Sequence, residues 1–165
     1  MTDLPFRIGQ AVDVHAFAAP DSPRPLMIAC LEWPGERPLD GHSDADVLAH
    51  ALSDALLGAL RAGDIGQLFP DTDPAYEGAD SLVLLSKVGA LAGERGFSIM
   101  DCDCTVAAQA PKLMPYRQRM RENLAAALGL DVERVGVKAT TTEGLGFVGR
   151  EEGIAAWAVV LLERP

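Results

Sequence analysis

The strongest constraint on the fold is a segment in which apolar residues recur at helical spacing. Its apolar positions are Val47, Leu48, Ala51, Leu52, Ala55, Leu56, Ala59 and Leu60. Steps of three and four residues place these side chains on one face, which indicates an amphipathic helix packed on a core. Ser43 or Asp44 can cap the start of this helix, and Gly63 is a natural stop.

Patterns on either side of this segment predict strands and two further helices. Alternating or β-branched residues predict five strands, at 6–15, 26–31, 101–108, 135–140 and 154–162. The first two strands are expected to pair. Capping and stop residues predict helices at 80–94 and 115–128. The order ββααβαββ predicts an α+β fold, in which a single mixed sheet carries its helices mainly on one face.

Length and charge limit the classes of protein to which the chain can belong. With 165 residues of 48% hydrophobic composition, it can bury one core, so we expect a single domain over 1–165. The formal net charge of -10 repels nucleic acids and anionic membranes, and neither is an expected partner. No apolar run is long enough for a membrane helix and no basic, apolar leader opens the sequence, so we expect a cytoplasmic protein.

The three histidines cluster in the first third of the chain, together with aspartates. Asp13 and His15 are two residues apart on a predicted strand, so their side chains project from the same face. His50 lies at the edge of the apolar stripe of the first helix and can face inward. These three residues would leave one tetrahedral position open, as catalytic zinc sites do. Each could also be a structural residue, and spacing alone does not decide between the two interpretations.

Other polar groups have both a functional and a structural interpretation. The loop at 138–147 follows a strand and suits either phosphate oxygens or an ordinary polar turn, and Arg150 lies just beyond it. The loop at 109–112 could admit a flat ligand or simply connect two elements. His42 is either part of a helix cap or a phosphate donor. The cysteines are expected to be reduced and buried, with a Cys-x-Cys metal clip at 102–104 as the alternative.

Seven motifs together resemble one family in order and spacing. They are Asp13-Val14-His15, Gly41 to Val47, Gly63 to Gly66, Phe69 to Pro74, Gly78 to Ser81, Ala108 to Leu113 and Lys138 to Gly153. Over 6–162 the chain resembles 2-C-methyl-D-erythritol 2,4-cyclodiphosphate synthase of the non-mevalonate isoprenoid pathway. The resemblance implies a homotrimer with active sites between subunits. Each site would bind 4-diphosphocytidyl-2-C-methyl-D-erythritol 2-phosphate and release cytidine monophosphate (CMP).

The same resemblance implies roles for individual residues. Asp13, His15 and His50 would hold one zinc ion per subunit, and Glu143 would bind magnesium or manganese bridging the substrate diphosphate. His42 and Thr141 would stabilise the transition state. The methylerythritol phosphate would contact Ser43, Asp64, Ile65, Gly66, Phe69, Pro70, Asp71, Thr72 and Asp73. The cytidine nucleotide would contact Ala108, Gln109, Ala110, Pro111, Lys112, Leu113, Met114, Thr140, Thr142, Phe147 and Arg150.

The sequence departs from the family pattern at three places, and two rival functions use the same residues. Gln10-Ala11 replace a usual His-Gly, Ala29-Cys30 replace a common Gly-Gly, and Glu151 replaces a usual glycine. None of these departures removes a proposed ligand. One rival is a zinc phosphoesterase, which would release a linear phosphate. The other is a non-catalytic trimer that binds isoprenoid diphosphates and releases no CMP.

Overall fold

Strands and helices alternate irregularly along the chain. The computed structural model describes residues 4–70, 72, 76 and 78–165. The strands are β1 (Phe6–Ala16), β2 (Leu26–Ile28), β3 (Leu31–Trp33), β4 (Ser98–Ala107), β5 (Val135–Thr140) and β6 (Gly153–Glu163). The helices are α1 (Val47–Leu60), α2 (Ile65–Leu68), α3 (Ser81–Glu94), α4 (Arg117–Leu128) and α5 (Gly146–Gly149). The predicted α+β class, with a mixed sheet and packed helices, is confirmed.

Four of the strands form the mixed sheet. Their order is β1-β6-β4-β5, with β4 and β5 parallel and the other neighbours antiparallel. β1 pairs with β6 along its whole length, from Phe6 opposite Glu163 to Ala16 opposite Gly153. β2 and β3 form a separate two-stranded hairpin. The expected pairing of the first two strands is therefore wrong, because the predicted second strand folds back on itself.

The hairpin turn depends on Asp46. Ala29 and Cys30, the two turn residues, have φ angles of 58° and 55°, as a type I′ turn requires of both its central residues. Their backbone N–H groups both donate to the fully buried Asp46 carboxylate. The same carboxylate accepts hydrogen bonds from the N–H groups of Leu48 and Ala49 in the first turn of α1. One side chain therefore fixes the hairpin turn to the start of the helix.

α1 begins later than its predicted capping residues. Ala45 has a φ of 58°, which interrupts helical backbone, so the helix begins at Val47 with Asp46 as its cap. The prediction of a Ser43 or Asp44 cap is therefore wrong. The Ser43 hydroxyl lies 3.0 Å from His50 Nε2 instead, and the Asp44 carboxylate accepts hydrogen bonds from the N–H and the hydroxyl of Ser81.

The other two long helices lie where the sequence predicts them. Asp80 caps α3 by accepting a hydrogen bond from the N–H of Leu82, and α3 runs to Glu94. α4 ends at Leu128, where Gly129 adopts the left-handed conformation with a φ of 66°. The one-turn helices α2 and α5 were not predicted, because four residues are too few to give a periodic signal.

α1 packs directly on β1 and β6, whereas Val148 of α5 packs on Ala107 and Ala155 at the other face of the sheet. Gly9 marks the closest approach: a Cβ there would lie 1.8 Å from the carbonyl oxygen of Ala55 and 2.8 Å from the nitrogen of Ala59. No side chain could occupy that space, so the glycine lets the two backbones touch. This contact brings the second half of β1 beside α1.

The two faces of β1 carry different chemistry. Residues 7, 9, 11, 13 and 15 face the helices, and the alternate residues face away from them. The opposite side of the sheet exposes an apolar group, here called the outer strip. It consists of Phe6, Ile8, Val12, Val14, Trp157 and Val159.

Two smaller expectations concern the cysteines and the membrane. All three cysteines are free; Cys102 and Cys104 are buried and Cys30 is partly buried. No cysteine joins a cluster of potential metal ligands in the described part of the chain. The helices formed by described residues include none with the length and apolar character needed to cross a bilayer.

The contact at Gly9 predicts that Gly9→Ala lowers stability. The methyl group has no space beside Ala55, so we expect the free energy of unfolding to fall by about 1–3 kcal/mol, measured by denaturant unfolding at matched protein concentration. Gly58→Ala is the control, because its Cβ would meet nothing within 4 Å and alanine favours a helix interior by about 0.8–1.0 kcal/mol. Equal stability of the two variants would contradict the direct backbone contact.

The four hydrogen bonds of Asp46 predict a large effect of Asp46→Ala. Losing a helix cap costs about 1 kcal/mol, and each buried N–H left without a partner costs about 1–3 kcal/mol more. Asp80→Ala is the matched control, because exposed Asp80 caps α3 through Leu82 alone. We expect Asp46→Ala to lower the unfolding free energy several times more than Asp80→Ala does. Similar losses would show that the hairpin turn does not depend on this carboxylate.

Candidate metal centre

Three potential ligands converge where β1 passes α1. Asp13 and His15 project from the helix-facing side of β1, and His50 projects toward them from α1. Asp13 Oδ2 lies 3.0 Å from His15 Nε2 and 3.3 Å from His50 Nδ1. His15 Nε2 lies 3.1 Å from His50 Nδ1. The sequence prediction that these three residues meet is therefore correct in its geometry.

The hydrogen bonds around the cluster suit a cation. His15 Nδ1 lies 2.7 Å from the carbonyl oxygen of Asp40, which can only accept, so that nitrogen carries the proton and His15 Nε2 presents a lone pair. Asp13 Oδ2 is buried and accepts no well-aligned hydrogen bond from a described residue. When His15 is neutral, its Nε2 lone pair faces the Asp13 carboxylate at 3.0 Å, and a bound cation would stabilise both. One carboxylate oxygen and two imidazole nitrogens are a ligand set that suits zinc, and the residues fit such an ion.

The electrostatics of the cluster also favour positive charge at its centre. Burial alone would raise the pKa of the Asp13 carboxyl, but His15 and His50 outweigh burial and hold that pKa well below its usual range. Burial alone would lower the pKa of His15, but Asp13 outweighs it and raises that pKa above its usual value. Asp13 is therefore ionised at neutral pH and attracts a proton or a cation to this position.

A cavity of about 300 Å³ opens beside the cluster. Its lining residues are Asp13, His15, Gly41, His42, Ser43, His50, Ile65, Gly66, Phe69, Tyr76 and Leu84. Five of the residues predicted to act on substrate, His42, Ser43, Ile65, Gly66 and Phe69, are therefore beside the metal ligands. The cavity is large enough for a phosphorylated polyol fragment to approach them.

Three other described residues predicted to contact the methylerythritol phosphate, Asp64, Pro70 and Thr72, do not line this cavity. Asp64 caps α2 by accepting a hydrogen bond from the N–H of Gln67. Pro70 is half-buried and Thr72 is exposed. Asp71 and Asp73 lie outside the described residues.

The residues predicted to bind nucleotide follow β4 and β5, whose parallel alignment brings their C-terminal ends together. The N–H of Thr142 donates to Gln109 Oε1 at 3.0 Å, which ties the two loops to each other. Thr141 Oγ1 donates to Glu143 Oε1 at 2.8 Å. The two loops supply Ala108, Gln109, Ala110, Pro111, Lys112, Leu113, Met114, Thr140, Thr142, Phe147 and Arg150. Most of these polar side chains are exposed, so they are accessible to a ligand or a partner.

Lys112 and Arg150 occupy different surroundings within this region. Lys112 lines an open groove of about 1000 Å³ with Trp33 and Tyr116. Arg150 makes a two-pronged ion pair with Glu152, at 2.9 and 3.0 Å. A phosphate at Arg150 would therefore compete with an existing carboxylate partner.

The nucleotide loops and the metal cluster lie at opposite edges of the sheet. β1 carries Asp13 and His15 at one edge, and β5 leads into Thr141 and Glu143 at the other. Three strand spacings separate β1 from β5, which amounts to about 14 Å. No described residue of 108–114 or 140–150 lines the cavity beside the cluster.

Sequence reasoning missed several contributors to the site. Asp46 and Asp54 precede and follow His50 by one helical turn, but their carboxylates bond elsewhere: Asp46 caps α1, and Asp54 accepts a hydrogen bond from the N–H of Ile65 at 2.6 Å. The hydroxyls of Ser43 and Ser81 approach His50 Nε2 instead, each at 3.0 Å. Ser81 belongs to the Gly78 to Ser81 motif, which was the only signal for it.

Comparison with known proteins gives a consistent family assignment. The YgbB family matches residues 6–163. A relative from Geotalea uraniireducens (strain Rf4), named 2-C-methyl-D-erythritol 2,4-cyclodiphosphate synthase, is 58% identical over 158 residues. That alignment covers 96% of this chain and 99% of the relative.

Solved structures share the fold. The bifunctional IspDF of Campylobacter jejuni superposes with a TM-score of 0.91 at 45% identity, over 97% of this chain and 42% of that longer protein. IspF of Plasmodium falciparum, described as a CDP complex, superposes with a TM-score of 0.84 at 31% identity, over 96% of each chain. By sequence and by fold, this chain therefore belongs to the YgbB family, which it shares with the 2-C-methyl-D-erythritol 2,4-cyclodiphosphate synthases.

Proposed function

We propose that this chain is a zinc-dependent lyase of isoprenoid precursor biosynthesis. It converts 4-diphosphocytidyl-2-C-methyl-D-erythritol 2-phosphate to 2-C-methyl-D-erythritol 2,4-cyclodiphosphate and CMP. The name of the relative at 58% identity supports this reaction, and the observation that carries it is the convergence of Asp13, His15 and His50 beside a cavity. We also propose that residues 1–165 form one domain, as the match over 6–163 suggests. A highly charged substrate that cannot cross a bilayer is consistent with the proposed cytoplasmic location.

The reaction is an internal displacement at phosphorus. An oxygen of the 2-phosphate forms a bond to the β-phosphorus of the diphosphate. The bond from that phosphorus to the oxygen bridging the two phosphorus atoms breaks, and CMP leaves with this oxygen and the electron pair. No side chain is needed as a nucleophile, so the protein acts by positioning the two phosphates and stabilising charge.

The residues around the cavity supply that positioning. We assign Asp13, His15 and His50 as ligands of one zinc ion per subunit, and Glu143 as ligand of a magnesium or manganese ion at the diphosphate. When bound, these ions would draw charge from the phosphoryl oxygens. His42, which lines the cavity, would donate to the transferring phosphoryl group. Thr141 would donate to the same group from the loop after β5 of a neighbouring subunit. Ser43, Ile65 and Gly66 hold the methylerythritol phosphate.

The nucleotide loops supply the other half of the substrate site. Residues 108–114 enclose the cytosine, and the Lys112 ammonium meets the phosphates. Thr140, Thr142, Phe147 and Arg150 complete the nucleotide side. The relative described as a CDP complex supports a cytidine diphosphate ligand for this chain. Exclusion of water by the bound substrate would favour ring formation over hydrolysis.

We propose that the active unit is a homotrimer with its sites between subunits. The metal cluster and the nucleotide loops lie at opposite edges of one sheet, about 14 Å apart, so His42 and Thr141 of one chain would not both reach the same phosphoryl group. A neighbouring copy would bring the β5 edge of one sheet to the β1 edge of the next. The outer strip is apolar and about half exposed, and burying it between copies would stabilise the assembly.

The proposed zinc ligands predict a loss of metal and activity in His50→Ala and Asp13→Asn. Because each variant removes one of three ligands, we expect no zinc to remain after dialysis and CMP release to fall by more than about 100-fold. Asp21→Asn, a change at an exposed aspartate, is the matched control and should behave as the wild type. Mass spectrometry measures the zinc content. A His50→Ala protein that keeps the wild-type zinc content and full activity would refute the metal assignment.

The identity of the products separates this function from its rivals. We expect phosphorus NMR of the reaction with zinc and magnesium to detect one CMP for each cyclic diphosphate. A linear phosphate product would instead indicate a phosphoesterase. Unchanged substrate, with binding of an isoprenoid diphosphate, would indicate a non-catalytic trimer.

The proposed trimer predicts that a charge in the outer strip prevents assembly. Val12 is 50% exposed and lies opposite Trp157 in the sheet, so Val12→Glu would place a carboxylate in the interface. Val83, 46% exposed on α3, gives the control Val83→Glu. We expect light scattering to report trimers for the wild type and the control, and monomers without activity for Val12→Glu. A trimeric Val12→Glu protein would contradict assembly through the outer strip.

A further inference from the structure

We infer that Ser81, held by Asp44, sets the position of the proton on His50 and thereby frees His50 Nδ1 for the metal. This inference rests on the proposed zinc site and extends it to two residues with no role so far. His50 Nε2 lies 3.0 Å from Ser81 Oγ. Ser81 Oγ in turn donates its proton to Asp44 Oδ1 in a short hydrogen bond. His50, Ser81 and Asp44 form a chain that we call the relay.

The direction of the relay follows from what each group can do. A carboxylate only accepts hydrogen bonds, so the Ser81 hydroxyl must give its single proton to Asp44. Because this proton is shared with Asp44, Ser81 Oγ can only accept a hydrogen bond from His50 Nε2. The proton of neutral His50 is therefore on Nε2, and the lone pair is on Nδ1. Nδ1 is the nitrogen that faces Asp13 and His15, at 3.3 and 3.1 Å.

Ser43 also approaches His50 Nε2, at 3.0 Å, but does not set the proton in the same way. Its hydroxyl accepts a weak hydrogen bond from the N–H of Ala45 at 3.3 Å. Among the described residues, nothing accepts the proton of Ser43 Oγ other than His50 itself. Ser43 can therefore either donate to Nε2 or accept from it. It is compatible with both tautomers, whereas Ser81 permits only one.

The backbone holds the relay in place. The N–H of Ser81 donates to Asp44 Oδ2 at 2.9 Å, so Asp44 grips Ser81 through both carboxylate oxygens. The N–H of Asp44 donates to the carbonyl of Ala79 at 3.2 Å, and that of Gly78 donates to the carbonyl of His42 at 3.0 Å. The Gly78 to Ser81 motif is thereby bound to the segment that precedes α1. This gives the motif a function that its sequence alone did not indicate.

Ser81 acts as a positioning residue and does not touch substrate. Its side chain is only 1% exposed, so no ligand in the cavity can reach it. Without it, Ser43 could donate to His50 Nε2, and the proton could move to Nδ1. A proton there would oppose the cation, because a metal ligand must present a lone pair. Partners that orient metal-bound histidines in this way typically change metal affinity by about 10- to 100-fold.

The test compares Ser81→Ala with Ser53→Ala. Ser53 is an equally buried serine on α1, and its hydroxyl has no hydrogen-bond partner among the described residues. Nitrogen-15 NMR of the metal-free proteins at alkaline pH reports which imidazole nitrogen carries the proton. We expect His50 to carry it on Nε2 in the wild type and in Ser53→Ala, and to populate both tautomers in Ser81→Ala.

Zinc affinity is the second readout. In competition with a chromophoric chelator, we expect the zinc dissociation constant to rise by about 10- to 100-fold in Ser81→Ala and to stay unchanged in Ser53→Ala. Asp44→Asn keeps the size of the side chain but lets its amide donate to Ser81, so it should weaken zinc binding in the same direction. This variant keeps the inference testable if Ser81→Ala does not fold.

The results separate this inference from the proposed function. Wild-type tautomer and wild-type zinc affinity in both Ser81→Ala and Asp44→Asn would overturn the role of the relay, even if the enzyme binds zinc and makes the cyclic product. Failure of the wild type itself to bind zinc would refute the proposed metal centre. The tautomer of the metal-free protein would still test the relay in that case.

Discussion

The direct contact between the backbones of β1 and α1 is the constraint on which the site depends. Gly9 allows it, because a side chain at this position would collide with the carbonyl of Ala55. From this contact, β1 runs beside α1 so that two of its side chains and one from the helix meet within 3.3 Å. The metal ligands are therefore placed by a rigid strand and a rigid helix, whose precision loops rarely match.

Two aspartates near His50, Asp44 and Asp46, stabilise different parts of the structure. Asp46 faces the interior and satisfies four backbone donors, so it stabilises the hairpin and the helix start without reaching the metal cluster. Asp44, two residues earlier, accepts hydrogen bonds from the N–H and the hydroxyl of Ser81 instead. The left-handed residue Ala45 between them turns the two carboxylates in different directions. Burial raises the pKa of the Asp46 carboxyl, and the surrounding N–H groups offset only part of that cost.

Local sequence patterns correctly predicted the features that depend on strand alternation and helical spacing. Alternation along β1 was enough to place Asp13 and His15 on one face, and helical spacing was enough to turn His50 inward. The hairpin at Ala29-Cys30 was missed because neither residue favours positive φ, and only a distant carboxylate stabilises the turn. Ser81 was missed for a similar reason: its role appears only when α3 is packed against the segment before α1. The oligomeric state and the nucleotide contacts remain predictions, since they depend on groups beyond one chain.

The separation of the metal cluster and the nucleotide loops across the sheet has a genetic consequence. In the proposed trimer, each catalytic centre takes its histidines from one polypeptide and its threonine loop from the next. Two inactive alleles, one damaged at His50 and one at Thr141, could then restore some activity when co-expressed, because certain mixed trimers would contain an intact centre. Complementation between defective alleles of this kind follows from the proposed trimer together with the placement of β1 and β5 at opposite edges of the sheet.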